Sequence, residues 1–362
     1  MDPIRLHVTS ERAAYPVVIG AGALKAIAGL LGEQGIDRQR LVVSSPQVWR
    51  FQGKRLQGVV GSKDRPALIP DGERAKTLAT VARVYEACVR RGLDRSAAVM
   101  AFGGGVVGDV AGFAAATYLR GIKLVQVPTT LLAQVDSAIG GKVGVNLASG
   151  KNLVGAFHSP SLVVCDPDVL TTLARREFRS GLYEVIKYGV IASPSVFDRV
   201  ASGLKPIFDR DADALTPLVA DCCRIKADVV MSDERETGLR RTLNFGHTIG
   251  HALESLTEYR RFRHGEAIGY GMLAAARISV ARGLMSDDEW TRLSTLIREM
   301  GPLPPVADLR IADALDVIGR DKKVVSGRLH FVLARGIGGT EIVSDVRTRE
   351  LAAAMRALGM KG

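Results

Sequence analysis

Aromatic residues, long apolar segments and a leader-like N-terminus are scarce or missing in this sequence, and each shortage excludes a class of protein. Phe, Trp and Tyr make up 5% of the 362 residues, too few for platforms on which the bases of a nucleic acid stack. No apolar run approaches the roughly 20 residues that a membrane-spanning helix needs. The first residues, MDPIR, lack the basic and then apolar layout of a signal peptide, so we expect a cytoplasmic protein.

Cysteine is also rare, and its spacing fits a reducing compartment. The chain has four cysteines, at positions 88, 165, 222 and 223, with no CxxC pair. The two adjacent cysteines cannot easily form a disulfide with each other. We therefore expect neither a disulfide framework nor a thiolate zinc site.

Acidic residues are outnumbered by basic ones. Forty-nine Lys and Arg stand against 38 Asp and Glu, which gives a formal net charge of +11. Such an excess suits a nucleic acid, a membrane surface or a small anionic substrate. The basic residues are dispersed and no aromatic platform accompanies them, which argues against a nucleic acid. We expect a small anionic substrate and no membrane.

The sequence pattern changes near residue 173. Before it, short β-branched segments at 17–19, 41–43, 97–102, 124–127 and 162–165 alternate with helical patterns such as 78–91 and 107–119. This alternation predicts a mostly parallel sheet with crossover helices. After it, helical patterns dominate, and they lie at 175–190, 215–231, 242–256, 266–282, 287–300 and 349–358, with only 329–333 and 341–343 extended. We predict an α/β domain at 1–173 and a mainly α-helical domain at 174–362.

A glycine turn follows one of the predicted strands and opens a helix. Gly103, Gly105 and Gly108 satisfy G-x-G-x-x-G, in which backbone N–H groups at a helix N-terminus bind a pyrophosphate. The standard fingerprint also needs an acidic residue at the end of the next strand, which here ends in Val127-Pro128-Thr129-Thr130. The pattern indicates either a dinucleotide on a related α/β sheet or a tight turn without a ligand.

The segment that follows contains two lysines among several glycines. Lys142, Lys151 and Asn152 lie among glycines in what we predict to be a loop. Ammonium groups in such a loop can bind a phosphate or a carboxylate. A solvated basic loop is the alternative.

Three of the six histidines lie within eighteen residues. His247 and His251 are four apart on a predicted helix and so face one side, and His264 opens the next segment. With a carboxylate, they match a His₂-carboxylate zinc site that keeps one position open. The best carboxylate is Glu184, because a buried acid in an apolar helical stretch needs a partner. Lys187 shares its face. We expect nearby helices to contribute Lys226, Arg240 and Asn244. Histidines with a structural role are the alternative.

Together these motifs resemble the 3-dehydroquinate synthase family over nearly the whole chain. Each block alone is weakly specific, whereas the full series in this order is highly specific. The matching blocks are Asp71-Gly72-Glu73 with Lys76, then 103–109 continuing into Gly112-Phe113, and then 118–121, 128–146, 150–152, 184–188, 243–248 and 264–266.

The resemblance implies a dehydroquinate synthase-like fold, with an α/β N-terminal domain that binds NAD⁺ and a mainly α-helical C-terminal domain that binds metal and substrate. It implies Zn²⁺ or Co²⁺ held by Glu184, His247 and His264. The positions that match NAD⁺ contacts are Glu73, Lys76, Gly104, Gly105, Asp109, Thr129 and Thr130, with Lys142 and Lys151 beside them.

The positions that match the substrate pocket form two groups. The group implied to be catalytic is Lys142, Lys187, Arg240 and His251, and the group implied to bind substrate is Asp136, Lys151, Asn152, Lys226 and Asn244. Arg120 resembles a residue that reaches the substrate of the neighbouring subunit, which implies a homodimer. Either Lys322 or Lys323 is implied to close the phosphate pocket.

The implied reaction converts 3-deoxy-D-arabino-heptulosonate 7-phosphate into 3-dehydroquinate and phosphate, the second step of the shikimate pathway. NAD⁺ takes a hydride from carbon 5 and later returns it, so no net oxidation occurs. Phosphate is eliminated in between, and ring opening and aldol closure follow. The metal serves as a Lewis acid, and lysines and an arginine hold the carboxylate and the phosphate. The substrate's own phosphate removes the proton, with His251 assisting.

The sequence departs from the family pattern at two places. Ser44-Ser45-Pro46 stands where the family often has an Asp or Asn that binds the cofactor ribose. Arg260-Arg261-Phe262-Arg263, before His264, is more basic than the common apolar version. These differences concern the ribose contacts and the outer rim of the pocket.

Two related enzyme classes are the alternatives. Another sugar phosphate cyclase, making an inosose or a valiolone, changes the carboxylate-binding set, whereas Lys226, Arg240 and Asn244 are all present here. A metal-dependent NAD alcohol or glycerol dehydrogenase has a Ser after the three glycines and a Lys beyond the aspartate, where this chain has Val106 and Gly112.

Overall fold

The structure, a computed structural model, describes residues 2–10, 13–36, 39–57, 59, 65–234, 238–319, 324–325 and 328–362. The strands are β1 Ile4–Thr9, β2 Ala14–Ile19, β3 Arg40–Ser44, β4 Ala67–Leu68, β5 Ala98–Gly103, β6 Lys123–Pro128, β7 Lys142–Leu147, β8 Gly150–Phe157, β9 Leu162–Cys165, β10 Val324–Val325, β11 Arg328–Leu329, β12 Phe331–Ala334 and β13 Thr340–Val343. The α-helices are α1 Ile27–Glu33, α2 Pro46–Gln52, α3 Leu78–Arg90, α4 Gly105–Thr117, α5 Arg175–Ala192, α6 Pro194–Ser202, α7 Leu204–Phe208, α8 Ala212–Ser232, α9 His247–Leu256, α10 His264–Ala281, α11 Asp287–Glu299, α12 Ile311–Gly319 and α13 Thr348–Ala357.

The chain divides into two compact units. The first comprises residues 1–174 with Asp209–Met231, and the second comprises Arg175–Phe208 with 232–362. This division differs from the predicted domains 1–173 and 174–362 in one segment, because most of α8 groups with the α/β unit. In the described part of the chain, no helix has both the length and the apolar character that crossing a membrane requires.

The first unit is built on a seven-stranded sheet with the order β1-β2-β9-β6-β5-β3-β4. Every neighbouring pair is parallel except β1 with β2, which confirms the predicted mostly parallel sheet. Strand β5 is buried along its whole length, as its run of apolar residues requires when helices cover both faces of a sheet. Strands β1 and β4 were missing from the sequence prediction.

The register of the sheet brings the predicted cofactor residues to one edge. Ser44 lies opposite Phe102, and Gly103 lies opposite Pro128. The segments that follow these residues therefore leave the sheet side by side at its carboxyl edge. Open α/β sheets bind their ligands at this edge.

The lysine-rich segment predicted to be a loop is an antiparallel hairpin of β7 and β8. Gly144 and Gly155 face each other across it, and a Cβ on either would lie 2.5 Å or less from a backbone oxygen of the other strand. The hairpin packs on α4 at Gly112, where a Cβ would lie 2.3 Å from Val143 Cγ1. Glycines that permit close backbone approach were therefore mistaken for turn residues.

The second unit is mainly helical, with the pairs β10/β11 and β12/β13 as its small sheets. Helix α5 is buried from Leu182 to Val190. Its neighbour α10 begins against it, since a Cβ at Gly265 would lie 1.9 Å from the Ser180 backbone oxygen. Helix α9 approaches α10 just as closely, because a Cβ at Gly271 would lie 1.8 Å from the Gly246 oxygen. These contacts pack the start of α10 on α5 and the start of α9 on the middle of α10.

The helix predicted at 242–256 is interrupted. Residues Leu239–Asn244 form a 3₁₀ helix, and α9 begins only at His247. Gly246, with φ of 77°, separates the two. Because glycine adopts this left-handed conformation without steric cost, the chain turns here and starts a new helix.

Candidate metal and cofactor sites

Glu184, His247 and His264 converge in the second unit from three different helices. Glu184 is fully buried within α5, while His247 and His264 are the first residues of α9 and α10. Glu184 Oε1 lies 3.7 Å from His247 Nε2 and 3.4 Å from His264 Nε2. Ligands bound tetrahedrally at zinc distances of about 2.1 Å stand about 3.4 Å apart. One oxygen and two nitrogens at these separations therefore fit a shared divalent cation.

The orientation of the His247 ring supports this interpretation. Its Nδ1 lies 3.1 Å from the carbonyl oxygen of Phe245. A backbone carbonyl at this position accepts Nδ1–H and leaves Nε2 as the lone-pair donor toward the cation. The kink that places Phe245 beside the ring is the same one that breaks the predicted helix.

A second carboxylate, which the sequence reasoning missed, faces His264 from the other side. Glu254 Oε2 lies 3.3 Å from His264 Nδ1. Although burial opposes a charged ring, Glu254 and Glu184 raise the pKa of His264 to about 10. The negative surroundings that retain a proton also favour a cation. The available signal was the position of Glu254, one turn beyond His251 on the same face of the helix.

His251 and Lys187 complete the group in this unit. One ring nitrogen from each of His247, His251 and His264 lies within 4.8 Å of the corresponding nitrogens of the other two. Lys187 pairs with Glu184 Oε2, and both side chains are buried. The two oxygens of Glu184 thus face different partners: Oε1 faces two imidazoles and Oε2 faces an ammonium group.

The start of α10 is fixed by an ionic cluster around Glu266. This fully buried carboxylate accepts hydrogen bonds from Arg176 and Arg179 at 2.7–2.8 Å and from the backbone N–H of Arg263 at 2.9 Å. Burial raises the pKa of Glu266, but these donors outweigh it and the pKa is lowered. Since His264 is two residues away, the cluster also fixes the backbone from which its ring extends.

Arg240 and Asn244 lie on the 3₁₀ helix Leu239–Asn244. Arg240 is 3% exposed, and its Nη1 donates to the Glu234 carbonyl at 2.6 Å. A spacing of four residues would place Arg240 and Asn244 on one face of an α-helix. A helix with three residues per turn instead rotates positions four apart by about 120°, so the two residues do not share a face here.

In the first unit, the glycine turn lies at the N-terminus of α4. Gly104 is its N-cap and, having no side chain, does not cap the first N–H groups itself. Thr129, in the neighbouring segment, has a buried Oγ1 with no hydrogen-bond partner among the described residues. Exposed helix N–H groups beside an unsatisfied buried hydroxyl fit the phosphates of a dinucleotide. Thr130 Oγ1 accepts from the Ala133 N–H at 3.1 Å.

Ser44 and Ser45 both use their hydroxyl groups in hydrogen bonds to nearby backbone groups. Ser44 Oγ donates to the Phe102 carbonyl at 2.7 Å. Ser45 is the N-cap of α2, accepting from the Val48 N–H at 3.4 Å. The residues at the usual ribose position therefore join two strands and start a helix.

A network of charged and amide groups surrounds the same edge of the sheet. The Lys76 ammonium group contacts the Asp109 carboxylate and Asn152 Oδ1. Glu73 Oε1 accepts from Asn146 Nδ2 at 2.8 Å and lies 3.9 Å from Lys151 Nζ. Burial outweighs the nearby lysines and raises the pKa of Asp109. The hairpin strand β8 carries Lys151 and Asn152, so sequence-distant positions meet here.

Asn146 is a further residue of this network that the sequence reasoning did not select as a site residue. Its Oδ1 accepts from the Asn152 N–H at 2.9 Å, and its N–H donates to the Lys76 carbonyl at 2.8 Å. Asn146 thereby ties three of the predicted contacts together. Only the strand pairing of β7 with β8 reveals this position.

Asp136 and Lys226 form a second pair in the first unit. Asp136 lies on a π-helical turn, Ala133–Ser137, and its Oδ1 accepts from Lys226 Nζ at 2.7 Å. Lys226 is a buried residue of α8. The segment Asp209–Met231 thus supplies a site residue to the α/β unit.

Arg120, Lys142, Lys322 and Lys323 complete the set of predicted positions. Arg120 is exposed, with φ of 68°. Lys142 opens β7 and is exposed. Lys322 and Lys323 lie outside the described residues.

The three arginines of the basic segment before His264 each face a carboxylate. The pairs are Arg260 with Glu258, Arg261 with Asp308 and Arg263 with Glu177.

Two family descriptions match successive parts of the chain, and both name the same enzyme. The family description "3-dehydroquinate synthase N-terminal" matches residues 66–180, and "3-dehydroquinate synthase C-terminal" matches residues 181–324. The 3-dehydroquinate synthase of Pelotomaculum thermopropionicum is 47% identical over 337 residues, which cover 92% of this chain and 91% of that protein.

Two solved structures share the whole architecture. The 2-epi-5-epi-valiolone synthase of Streptomyces hygroscopicus subsp. jinggangensis, with NAD⁺ and Zn²⁺ bound, has a TM-score of 0.88 and 30% identity, covering 98% of this chain and 99% of that one. A 2-deoxy-scyllo-inosose synthase, complexed with carbaglucose-6-phosphate, NAD⁺ and Co²⁺, has a TM-score of 0.87 and 26% identity with the same coverage.

Proposed function

The chain belongs to the 3-dehydroquinate synthase family, and on that premise we propose that it converts 3-deoxy-D-arabino-heptulosonate 7-phosphate into 3-dehydroquinate and phosphate. Its cofactors are NAD⁺ and a divalent cation, Zn²⁺ or Co²⁺. The observation that carries the proposal is the convergence of Glu184, His247 and His264 at distances that suit one cation. This set leaves a coordination position for a substrate oxygen.

Bound NAD⁺ supplies a hydride acceptor that returns the hydride within the same turnover, and the divalent cation supplies positive charge beside the reacting hydroxyl. Around the cation, Glu184 contributes the negative charge, while His247 and His264 contribute neutral nitrogen ligands. Lys187, paired with Glu184, presents its ammonium group at the edge of the ligand set. We assign proton exchange with the substrate to His251, because its imidazole adjoins the two proposed histidine ligands.

The NAD⁺ contacts are assigned to the carboxyl edge of the sheet. The N–H groups at Gly104 and Gly105 bind the pyrophosphate, and Thr129 and Thr130 border it. Glu73, Lys76 and Asp109 lie in the adjoining polar network, where their mutual ion pairs keep each side chain in place. Pre-organised donors of this kind lose little entropy when the cofactor binds.

Cationic side chains hold the two anionic ends of the substrate. In the first unit we assign Lys142, Lys151 and Asn152 to the phosphate, because ammonium and amide groups donate hydrogen bonds to phosphate oxygens. In the second unit we assign Lys187 to substrate binding, because its ammonium group lies beside the proposed metal ligand Glu184. Lys226, Arg240 and Asn244 are assigned to the carboxylate, with Asp136 orienting Lys226. Arg240 suits this role because a guanidinium binds a carboxylate through two parallel hydrogen bonds.

The carboxylate contact distinguishes this function from that of other sugar phosphate cyclases. Truncating one partner of a buried charged hydrogen bond costs roughly 2–5 kcal/mol, or about 30- to 4,000-fold. Arg240→Ala is therefore expected to lower kcat/KM for the heptulosonate phosphate by about that factor. Its effect on sedoheptulose 7-phosphate, which lacks the carboxylate, is expected to be small. Equal small losses on both substrates would mean that Arg240 does not bind the carboxylate.

The direct test of the proposed function uses the purified protein with the heptulosonate phosphate, NAD⁺ and Zn²⁺. We expect phosphate and 3-dehydroquinate to appear in equal amounts. Arg292→Ala serves as the matched control for Arg240→Ala, because Arg292 pairs with Asp198 at an exposed position and is not one of the assigned residues. Release of neither product from the folded, metal-loaded protein would refute the proposal.

The proposal includes a homodimer in the cytoplasm, in which Arg120 reaches the substrate of the partner subunit. Arg120 and the preceding Leu119 are both exposed and have positive φ angles, at a cost of about 1–2 kcal/mol each. A turn held in this conformation suits a contact with another molecule. Analytical ultracentrifugation tests the dimer, and a monomeric enzyme with full activity would refute it.

A further inference from the structure

Both nitrogens of the His264 ring face a carboxylate. Nε2 lies 3.4 Å from Glu184 Oε1, and Nδ1 lies 3.3 Å from Glu254 Oε2. The ring therefore stands between two acids that come from different helices, α5 and α9. An imidazole can bind a cation through only one of these nitrogens while the other donates its N–H.

Glu254 is placed for this contact by the geometry of α9. It follows His247 by seven residues and His251 by three, so all three side chains lie along one face of the helix. Glu254 is 4% exposed, although glutamate is seldom buried without a partner. The start of α10, where His264 lies, is within reach of this face because Gly250 and Gly271 permit close approach of the two helices.

The two proposed histidine ligands have the same arrangement with different acceptors. Nδ1 of His247 lies 3.1 Å from a backbone carbonyl, and Nδ1 of His264 lies 3.3 Å from the Glu254 carboxylate. In both rings Nε2 then points at Glu184 Oε1. A shared arrangement on rings from separate helices indicates a common requirement, the tautomer with its lone pair on Nε2.

We propose that Glu254 is a positioning residue for the metal ligand His264. It accepts Nδ1–H, holds the ring plane and increases the donor strength of Nε2 toward the divalent cation. The inference rests on the proposed function, since it assumes that His264 binds a metal. A carboxylate acceptor of this type contributes about 10- to 100-fold to metal affinity.

The test measures Zn²⁺ affinity by competition with a chelator for the full-length protein and four variants. Glu254→Leu removes the acceptor, and we expect its affinity to fall by about 10- to 100-fold. Glu254→Gln keeps an oxygen that can accept Nδ1–H, so a smaller loss is expected. Glu258→Gln is the matched control, because Glu258 is an exposed carboxylate just beyond the end of α9. His264→Ala gives the reference for a lost ligand.

Two further readouts separate positioning from a merely structural role. The absorption spectrum of the Co²⁺-loaded protein reports the ligand geometry, and we expect it to change in Glu254→Leu and to resemble wild type in Glu258→Gln. Urea unfolding of the metal-free proteins reports stability without the ion. A purely structural Glu254 would lower the unfolding midpoint while Zn²⁺ affinity and the Co²⁺ spectrum of the folded variant stay unchanged.

The outcomes distinguish a failure of this inference from a failure of the metal assignment. If His264→Ala loses Zn²⁺ affinity while both Glu254 variants bind like wild type, the positioning role is wrong. If His264→Ala itself retains full affinity, the proposed ligand set is wrong, and the role of Glu254 falls with it. Should Glu254→Leu fail to fold, wild-type affinity in Glu254→Gln with a wild-type Co²⁺ spectrum overturns the inference, whereas a reduced affinity with an altered spectrum supports it.

Discussion

Gly265→Ala tests whether close helix packing builds the metal site. The added Cβ would lie 1.9 Å from the Ser180 backbone oxygen, where contacts under 3.0 Å essentially never occur. The first turn of α10 must therefore move by more than about 1 Å, whereas metal–ligand distances tolerate about 0.2 Å. His264, the preceding residue, moves with it. The shift also strains the 2.9 Å hydrogen bond from the Gly265 N–H to Ser180 Oγ.

Two losses follow from this displacement. Overpacking costs about 1–3 kcal/mol of stability, measured by urea unfolding of the metal-free protein. Zn²⁺ affinity, measured by chelator competition, is expected to fall at least about tenfold, in the range seen when ligand support is lost. Gly319→Ala is the matched control, because a Cβ at this exposed helical position meets no atom of the described residues within 4 Å. Identical stability and Zn²⁺ affinity in the two variants would refute the packing argument.

Three other predictions concern pH, a buried ion pair and the metal. Hydrogen bonds from Arg282 lower the pKa of Glu350 to about 2 from 4.5, so this pair stabilises the fold above pH 4.5 and loses its effect as the pH falls toward 2. Glu350→Gln is expected to cost about 1–3 kcal/mol at pH 7, with urea midpoints that converge on wild type only as the pH falls toward 2. A constant difference would exclude the pair. Asp109→Ala leaves Lys76 buried without its carboxylate and is expected to cost about 3–5 kcal/mol, whereas a loss under about 1 kcal/mol would show that water replaces the partner. Removal of divalent cations with a chelator is expected to abolish turnover until Zn²⁺ or Co²⁺ is added, and full activity of a verified metal-free preparation would contradict the ligand assignment.

The sheet was predictable from the sequence because burial on both faces leaves a local signature. Strands such as β5 are continuous apolar runs, and helices separate them at regular intervals. The hairpin of β7 and β8 was not predictable in the same way. Gly144 and Gly155 look like loop residues in sequence, and only their cross-strand pairing explains why no larger side chain fits.

The candidate site shows the same limit. The i, i+4 spacing of His247 and His251 was informative because it follows from helix geometry. The contact between Glu254 and His264 depends on how close two helices approach, which is set by Gly246, Gly250 and Gly271 together. Helix α8, likewise, reaches Asp136 only through tertiary packing. Long-range packing of this kind has no periodic signal in the sequence.

In the proposed reaction NAD⁺ accepts a hydride from the substrate and returns it within the same turnover. Product yield at limiting NAD⁺ tests this return most directly. With NAD⁺ at about one-tenth of the substrate concentration, both phosphate and 3-dehydroquinate should reach the full substrate amount. No NADH should accumulate, because each oxidation is reversed before the product leaves. A reaction that stops when product equals the NAD⁺ added, with matching NADH in solution, would contradict the account and identify a dehydrogenase instead.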